Sequence, residues 1–269
     1  MDTVKRRILD PERTVLIACS MMEDEIQKVI DQEKIHYPVI WMERGYHEKP
    51  DRLRAILQEQ IDLAEERFAD ADPRARKASE AQEVSEASGT PGAPEASEDS
   101  EEKPVILLGY GLCGNGAAGL KTRSAVLAMP RFDDCINTIL CCGPRTRRSL
   151  EKAGVYYLTR TWTLDTGALL QSHQKMLAKY GKRRTGQIMQ MMYDGYRQVS
   201  VIDDGCYDKA PVISYADQCA ALLGVERGEV PGSTRILRKL LTGDWDEAEI
   251  LVKKPDTPVT QWTLTCPIF

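Results

Sequence analysis

Thiol, imidazole and carboxylate side chains recur in this sequence just after short apolar runs. Cys19 follows Thr14 to Ala18, His47 follows Tyr37 to Met42, Cys113 follows Pro104 to Leu108, and Asp134-Cys135 follow Ala125 to Met129. Asp203, Asp204 and Cys206 follow Val199 to Ile202. If these runs are parallel strands, their loops meet at one sheet edge, where α/β folds hold ligands. Thiolate and imidazole together suit zinc, which in a catalytic site takes three protein ligands and keeps one position open. His47, Cys113 and Cys135 are the first candidate set. No C-x-x-C pair marks the ligands, and the adjacent Cys141 and Cys142 lie near a predicted helix end. A buried Cys is more often a small core residue than a ligand, which is the expectation for Cys219 and the open alternative for Cys19. His36 and His173 read as surface positions.

Two further roles compete in the same loop. Cys135 at a helix N-terminus would gain thiolate character from the helix dipole and act as a metal-free nucleophile, although Asp133 and Asp134 oppose that shift. Asp134 is the candidate catalytic carboxylate, orienting His47 or a metal-bound group. Capping the following helix is its equal alternative.

Gly109, Gly111 and Gly114 spell G-x-G-x-x-G after an apolar strand, and Gly114, Gly116 and Gly119 repeat it. A dinucleotide site also needs a helix from the third glycine and a crossover of roughly ten to twelve residues, and only Ala117 to Ser124 stand before the next strand. The reading that remains is a loop whose backbone N–H groups, with Asn115, hold an anionic part of a ligand. A turn without a ligand is its alternative. Arg131 in the next loop and Trp162 after a later strand are placed against the same ligand, with interlobe packing or solvent exposure open as other roles for the Trp162 segment.

The elements that must position these residues alternate. Helices are expected over Glu23 to Asp31, Asp51 to Phe68, Leu169 to Tyr180, Gly186 to Tyr193, Val212 to Leu223 and Thr234 to Leu241, with further strands at Val155 to Leu158 and Ile250 to Val252. The pattern implies an α/β fold, mostly parallel sheets with helices on both faces, in two Rossmann-like lobes over residues 1–150 and 151–269. Residues 70–103, rich in Ala, Glu, Ser, Pro and Gly, cannot offset the entropy of ordering and are expected to form a disordered acidic insertion.

Composition narrows the classes. With 36 Lys and Arg against 41 Asp and Glu, the net charge of -5 argues against a nucleic-acid binder. No apolar stretch reaches membrane-spanning length and no secretory h-region follows Met1, so a cytoplasmic location and no membrane partner are expected. Eight cysteines without such a signal point to reduced thiols.

Tyr110-Gly111-Leu112-Cys113-Gly114-Asn115-Gly116, followed by Pro130-Arg131-Phe132-Asp133-Asp134-Cys135, resembles the domain-of-unknown-function 1638 family of anaerobic bacteria and archaea. Gly45-Tyr46-His47-Glu48-Lys49-Pro50, Asp203-Asp204-Gly205-Cys206-Tyr207 and Gly243-Asp244-Trp245 are similar to it too. In the family a His commonly precedes the Asp-Cys pair, and Asp133 stands there in this chain. The resemblance implies an association with corrinoid-dependent methyl transfer. Combined with the residue reading, the expectation is a zinc-binding protein of corrinoid-linked one-carbon metabolism, a thiol-activating methyltransferase with the corrinoid on a partner protein. A non-catalytic metallochaperone or corrinoid-protein partner and a metal-free Cys135 enzyme are the alternatives.

Overall fold

A computed structural model describes residues 7–46, 49–71, 103–143 and 152–261. His47 and most of the acidic segment expected at 70–103 lie outside the described residues. Strands β1 (Thr14–Cys19), β2 (Val39–Met42), β3 (Val105–Gly109) and β4 (Val126–Pro130) form a parallel sheet in the order β2-β1-β3-β4, and β8 (Ile250–Lys253) adds to β4 in the antiparallel sense. Strands β5 (Val155–Leu158), β6 (Gln198–Asp203) and β7 (Glu226–Pro231) make a second, wholly parallel sheet.

The first sheet is covered on both sides, which is why its strands are apolar throughout rather than alternating. Leu16 and Ala18 of β1 face Ile26 and Val29 of helix α1 (Glu23–Glu33). Val15 and Ile17 face Leu53, Leu57 and Ile61 of helix α2 (Pro50–Ala71). Helix α3 (Cys135–Leu140) follows β4 and the single turn α4 (Arg160–Thr163) follows β5. Helix α5 (Leu169–Tyr193) is broken at Gly181, whose φ of 72° and ψ of 167° are not helical, so two helical segments flank that glycine. Helix α6 (Ala210–Leu223) packs on the second sheet through Val212, Ala216 and Cys219.

Helix α7 (Arg235–Thr242) and β8 return to the first sheet, which therefore draws on both halves of the chain. Ile236, Leu237, Leu240 and Leu241 bury the helix's apolar stripe. Glu249 ties the return, accepting from Arg235 at 2.6 Å and from Lys239 at 2.8 Å. Strand β7 carries no apolar pattern, reading Glu-Arg-Gly-Glu-Val-Pro, and is held at the sheet edge by its parallel register with β6.

Glu65 on α2 organises the turn into β4. Its carboxylate, 4% exposed, accepts from the backbone N–H groups of Arg123, Ser124 and Ala125 at 2.6 to 3.0 Å and from the Ser124 hydroxyl at 3.0 Å. Burial works to raise its pKa, but these donors together hold it below the usual carboxylate range. A depressed folded pKa contributes stability above the unfolded value, and that contribution is lost as pH falls through the folded one. Glu65→Ala leaves three backbone donors unpaired and is expected to cost about 3 kcal/mol at neutral pH in denaturant unfolding, with a smaller cost in acid.

Candidate functional site

Chain direction creates the site. From β1 the chain passes to β2 on one side, whereas β3 pairs on the other, so the loops leaving β1 and β3 diverge and leave a crevice at the strand carboxyl ends. Cys19 ends β1, and Tyr110 follows β3 directly.

The loop after β3 is strained. Cys113, Gly114 and Asn115 have φ values of 47°, 62° and 72°, three consecutive residues in the left-handed region. For a non-glycine residue that conformation costs roughly 1–2 kcal/mol, so it must be imposed by its surroundings. The Leu112 N–H donates to the Phe132 carbonyl at 2.8 Å and the Cys113 N–H to the Asp133 carbonyl at 2.8 Å, pairing this loop with the one after β4. Gly111 permits that approach: a Cβ there would lie 2.7 Å from the Asp134 Cα and N. From the other side the Arg54 guanidinium donates to the Ala118 carbonyl at 2.6 Å and the Asn115 carbonyl at 3.0 Å.

A cavity of about 300 Å³ results. Cys19, Cys113 and Cys135 reach it from three different elements, and Tyr110, Gly114 and Asp134 lie among them. Its apolar walls are Met21 and Met22 from the turn after β1, Leu53 from α2, Ile136 from α3 and Trp162 from α4, so both sheets contribute. Gly45 and Tyr46 complete the rim, immediately before His47.

Burial pushes all three thiols up; nearby negative groups reinforce the effect at Cys113 and Cys135, whereas the Met21 backbone, Tyr110 and Arg44 oppose it at Cys19. The charges that act most on Cys113 and Cys135 are negative: Cys19 and Asp134 act on both, and Cys113 and Glu25 act on Cys135. Only the Gly111 N–H, which bonds the Cys113 sulfur, works the other way for that residue. For Cys135 the helix dipole expected to favour thiolate is outweighed; α3 has six residues and its first side chain is buried among acids. The Tyr110 hydroxyl is buried between these thiols, and burial and the same cysteines push it up as well.

Asp134 caps α3, its Oδ1 accepting from the Asn137 N–H at 2.8 Å and the Asn137 side-chain amide at 3.1 Å, while its side chain also borders the cavity. Burial outweighs these two donors and leaves its pKa raised. It thereby fixes the first turn of the helix that carries Cys135.

Of the other sequence candidates, Gly114 and Trp162 line the cavity. Gly109 sits in β3 against Ala18, whose Cβ is 3.0 Å from where a glycine substituent would stand. Gly116 packs on Leu53, 2.5 Å from such a position. These glycines and Gly111 serve close packing. Asn115 gives its carbonyl to Arg54, and Arg131 lies toward β8, its N–H bonded to the Glu249 carbonyl at 2.8 Å. The N–H groups of Leu112, Cys113, Gly116 and Ala117 are bonded within the protein, which leaves those of Gly114 and Asn115 for a ligand in this stretch. Cys19 is the residue that sequence reasoning undervalued. Its position at a strand end was visible, but its meeting with Cys113 depends on β1 and β3 being neighbours. Among the described residues, no three His, Cys, Asp or Glu side chains are arranged as a ready-made metal site. No described helix is long and apolar enough to cross a membrane.

A family model described as "Protein of unknown function (DUF1638)" matches residues 91–241. The chain belongs to that family. The matched stretch includes the Tyr110–Gly116, Pro130–Cys135 and Asp203–Tyr207 motifs, while Cys19, His47 and Gly243-Asp244-Trp245 fall outside it. No curated protein and no solved structure matches the chain.

Two outcomes follow from this geometry. Gly111→Ala should destabilise the family member by about 3 kcal/mol, the upper end for an overpacked core, because the clashing atoms are backbone. In metal-free protein at neutral pH, iodoacetamide should label the exposed Cys142 well before Cys19, Cys113 or Cys135, read by peptide mass mapping; preferential labelling of Cys135 would show a thiolate there.

Proposed function

We propose that this protein binds a thiophilic metal ion, zinc, through Cys113, Cys135 and His47, and acts in corrinoid-linked one-carbon metabolism as a thiol-activating methyltransferase. One observation carries the metal reading: three thiols converge on one cavity, and the charges that act most on Cys113 and Cys135 are negative. Neutral thiols in that setting are poor nucleophiles, and a bound cation would convert them to thiolates. Cys113 and Cys135 lie on loops that are hydrogen-bonded to each other, and the rim residues Gly45 and Tyr46 lead into His47. The methyl-transfer reading rests on the family resemblance and on the suitability of thiol ligands.

Zinc with an open position holds a substrate thiol as thiolate at neutral pH. The protein's own groups supply the rest of the site. Cys113 and Cys135 release their protons on binding the ion, so affinity rises with pH. Asp134 orients Cys135 through the cap of α3, and the Gly111 N–H steadies the Cys113 sulfur. Met21, Met22 and Trp162 exclude water, and the Gly114 and Asn115 N–H groups are the loop's donors for an anionic part of the substrate.

The position of Cys19 favours a second reading. If Cys19 joins His47, Cys113 and Cys135, four protein ligands close the coordination shell, and the protein is a metallochaperone or a corrinoid-protein partner rather than an enzyme.

Elemental analysis of untagged protein purified anaerobically tests the proposal. About one zinc per chain is expected, as for a single site, lost in Cys113→Ser, Cys135→Ser and His47→Ala. Retention in Cys19→Ser, together with a spectral change on adding a small thiol to the cobalt-substituted protein, supports the open, catalytic form. Loss in Cys19→Ser with no such change supports the closed form. Metal-free wild-type protein that takes up no zinc contradicts both.

A further inference from the structure

Beside the thiol cavity, the seam between the two sheets holds a buried acid, Glu25, against a half-buried one, Asp204. Glu25 on α1 has an exposure of 0%, and neither carboxylate oxygen has a hydrogen-bond donor. It faces Asp204, in the loop after β6. Asp204 Oδ1 accepts from the Cys206 N–H at 2.8 Å, but its Oδ2 is buried without a donor. Two ionised carboxylates cannot face each other in such a place without a cation between them.

The surrounding groups provide none. Lys28, on the same helix, directs its ammonium to the backbone carbonyls of Asp204 at 3.4 Å and Gly205 at 3.0 Å. Arg160 is engaged by Asp24 at 2.8 Å. The Tyr207 hydroxyl donates to the Ile202 carbonyl, and the Cys206 thiol points to the Asp204 carbonyl at 3.7 Å. From α3, Cys135 adds only negative charge when ionised, as does Asp24. A proton shared between the two carboxyls satisfies both acids.

We infer that Glu25 and Asp204 hold one proton between them at neutral pH and form an acid clasp that joins α1 of the first sheet to the β6 loop of the second. Helix α1 adjoins the cavity wall: it continues the turn that carries Met21 and Met22, and its Asp24 holds Arg160, which begins the turn that carries Trp162. Loss of the proton puts two like charges into the seam and loosens the wall over the thiols. The inference does not depend on a metal at the cysteines.

The sign of its pH dependence is fixed. Burial first, then the Asp204 charge, raises the Glu25 pKa well above the ordinary carboxyl value. Such a group contributes its stabilisation fully below the unfolded pKa and loses it as pH rises through the folded one.

Infrared spectra of the full chain carrying carboxyl-¹³C glutamate test the clasp. A protonated-carboxyl C=O band present at neutral pH, shifted by the label and lost in Glu25→Gln, is expected. In thermal melts Glu25→Gln, whose amide can donate to Asp204, should show a smaller loss of Tm from neutral to mildly alkaline pH than the wild type. Absence of a label-sensitive band at neutral pH overturns the inference, as does a label-sensitive band that survives in Glu25→Gln. If that variant does not fold, the labelled wild-type spectrum alone decides, because only a protonated glutamate gives the shifted band and its absence refutes the clasp.

Discussion

The pairing of the loop after β3 with the loop after β4 sets the positions of Cys113 and Cys135 in the crevice. Two backbone hydrogen bonds of 2.8 Å, Leu112 to Phe132 and Cys113 to Asp133, draw the loops together, and the missing side chain of Gly111 lets the Asp134 backbone approach. Under this contact residues 113–115 take left-handed conformations, and Cys113 lines the same cavity as Cys135. Asp134, fixed by this pairing, caps α3 and so places Cys135 at the first turn. Local strain of this kind persists only where surrounding structure over-determines it, and it gathers at functional sites.

The thiols are poised between two chemistries. Their burial suits a core cysteine, but three of them around a shared cavity beside a buried tyrosine do not form an ordinary core. A bound soft cation would offset the mutual repulsion of the thiolates, against the cost of displacing protons that desolvation holds on the sulfurs. The acids in the seam behind it answer the same constraint with a proton. Both arrangements occur where helix α1 and the turn before it touch elements of the second sheet, through Thr161 bonded to the Met21 carbonyl at 2.5 Å and Arg160 bonded to Asp24.

Much of this architecture was legible in the sequence. The apolar runs at 14–18, 104–108 and 125–129 read as strands because both faces of the first sheet are covered, and the break at Gly181 was visible as two separate helical stretches. Strand β7 was not legible, because an exposed edge strand with three charged residues in six and a single large apolar one carries no hydrophobic period. Nor was the antiparallel return of β8 to β4, which depends on the burial of α7 rather than on any local signal. In the site, Cys113, Asp134 and Cys135 were marked by their motifs, and Gly109, Gly111 and Gly116 by spacing alone. Spacing shows that glycine is needed but not what it touches, and these three touch protein. Cys19 was visible at a strand end and Tyr110 within a motif, but their weight, like that of Glu25, lies in strand order and in contacts with distant loops.

X-ray absorption at the zinc edge of zinc-loaded protein tests the central claim most directly. The account predicts sulfur neighbours at about 2.3 Å, at least two per zinc, with their number reduced in Cys113→Ser and Cys135→Ser. A shell of nitrogen and oxygen alone, unchanged in those variants, would contradict a thiolate centre at the crevice between β1 and β3.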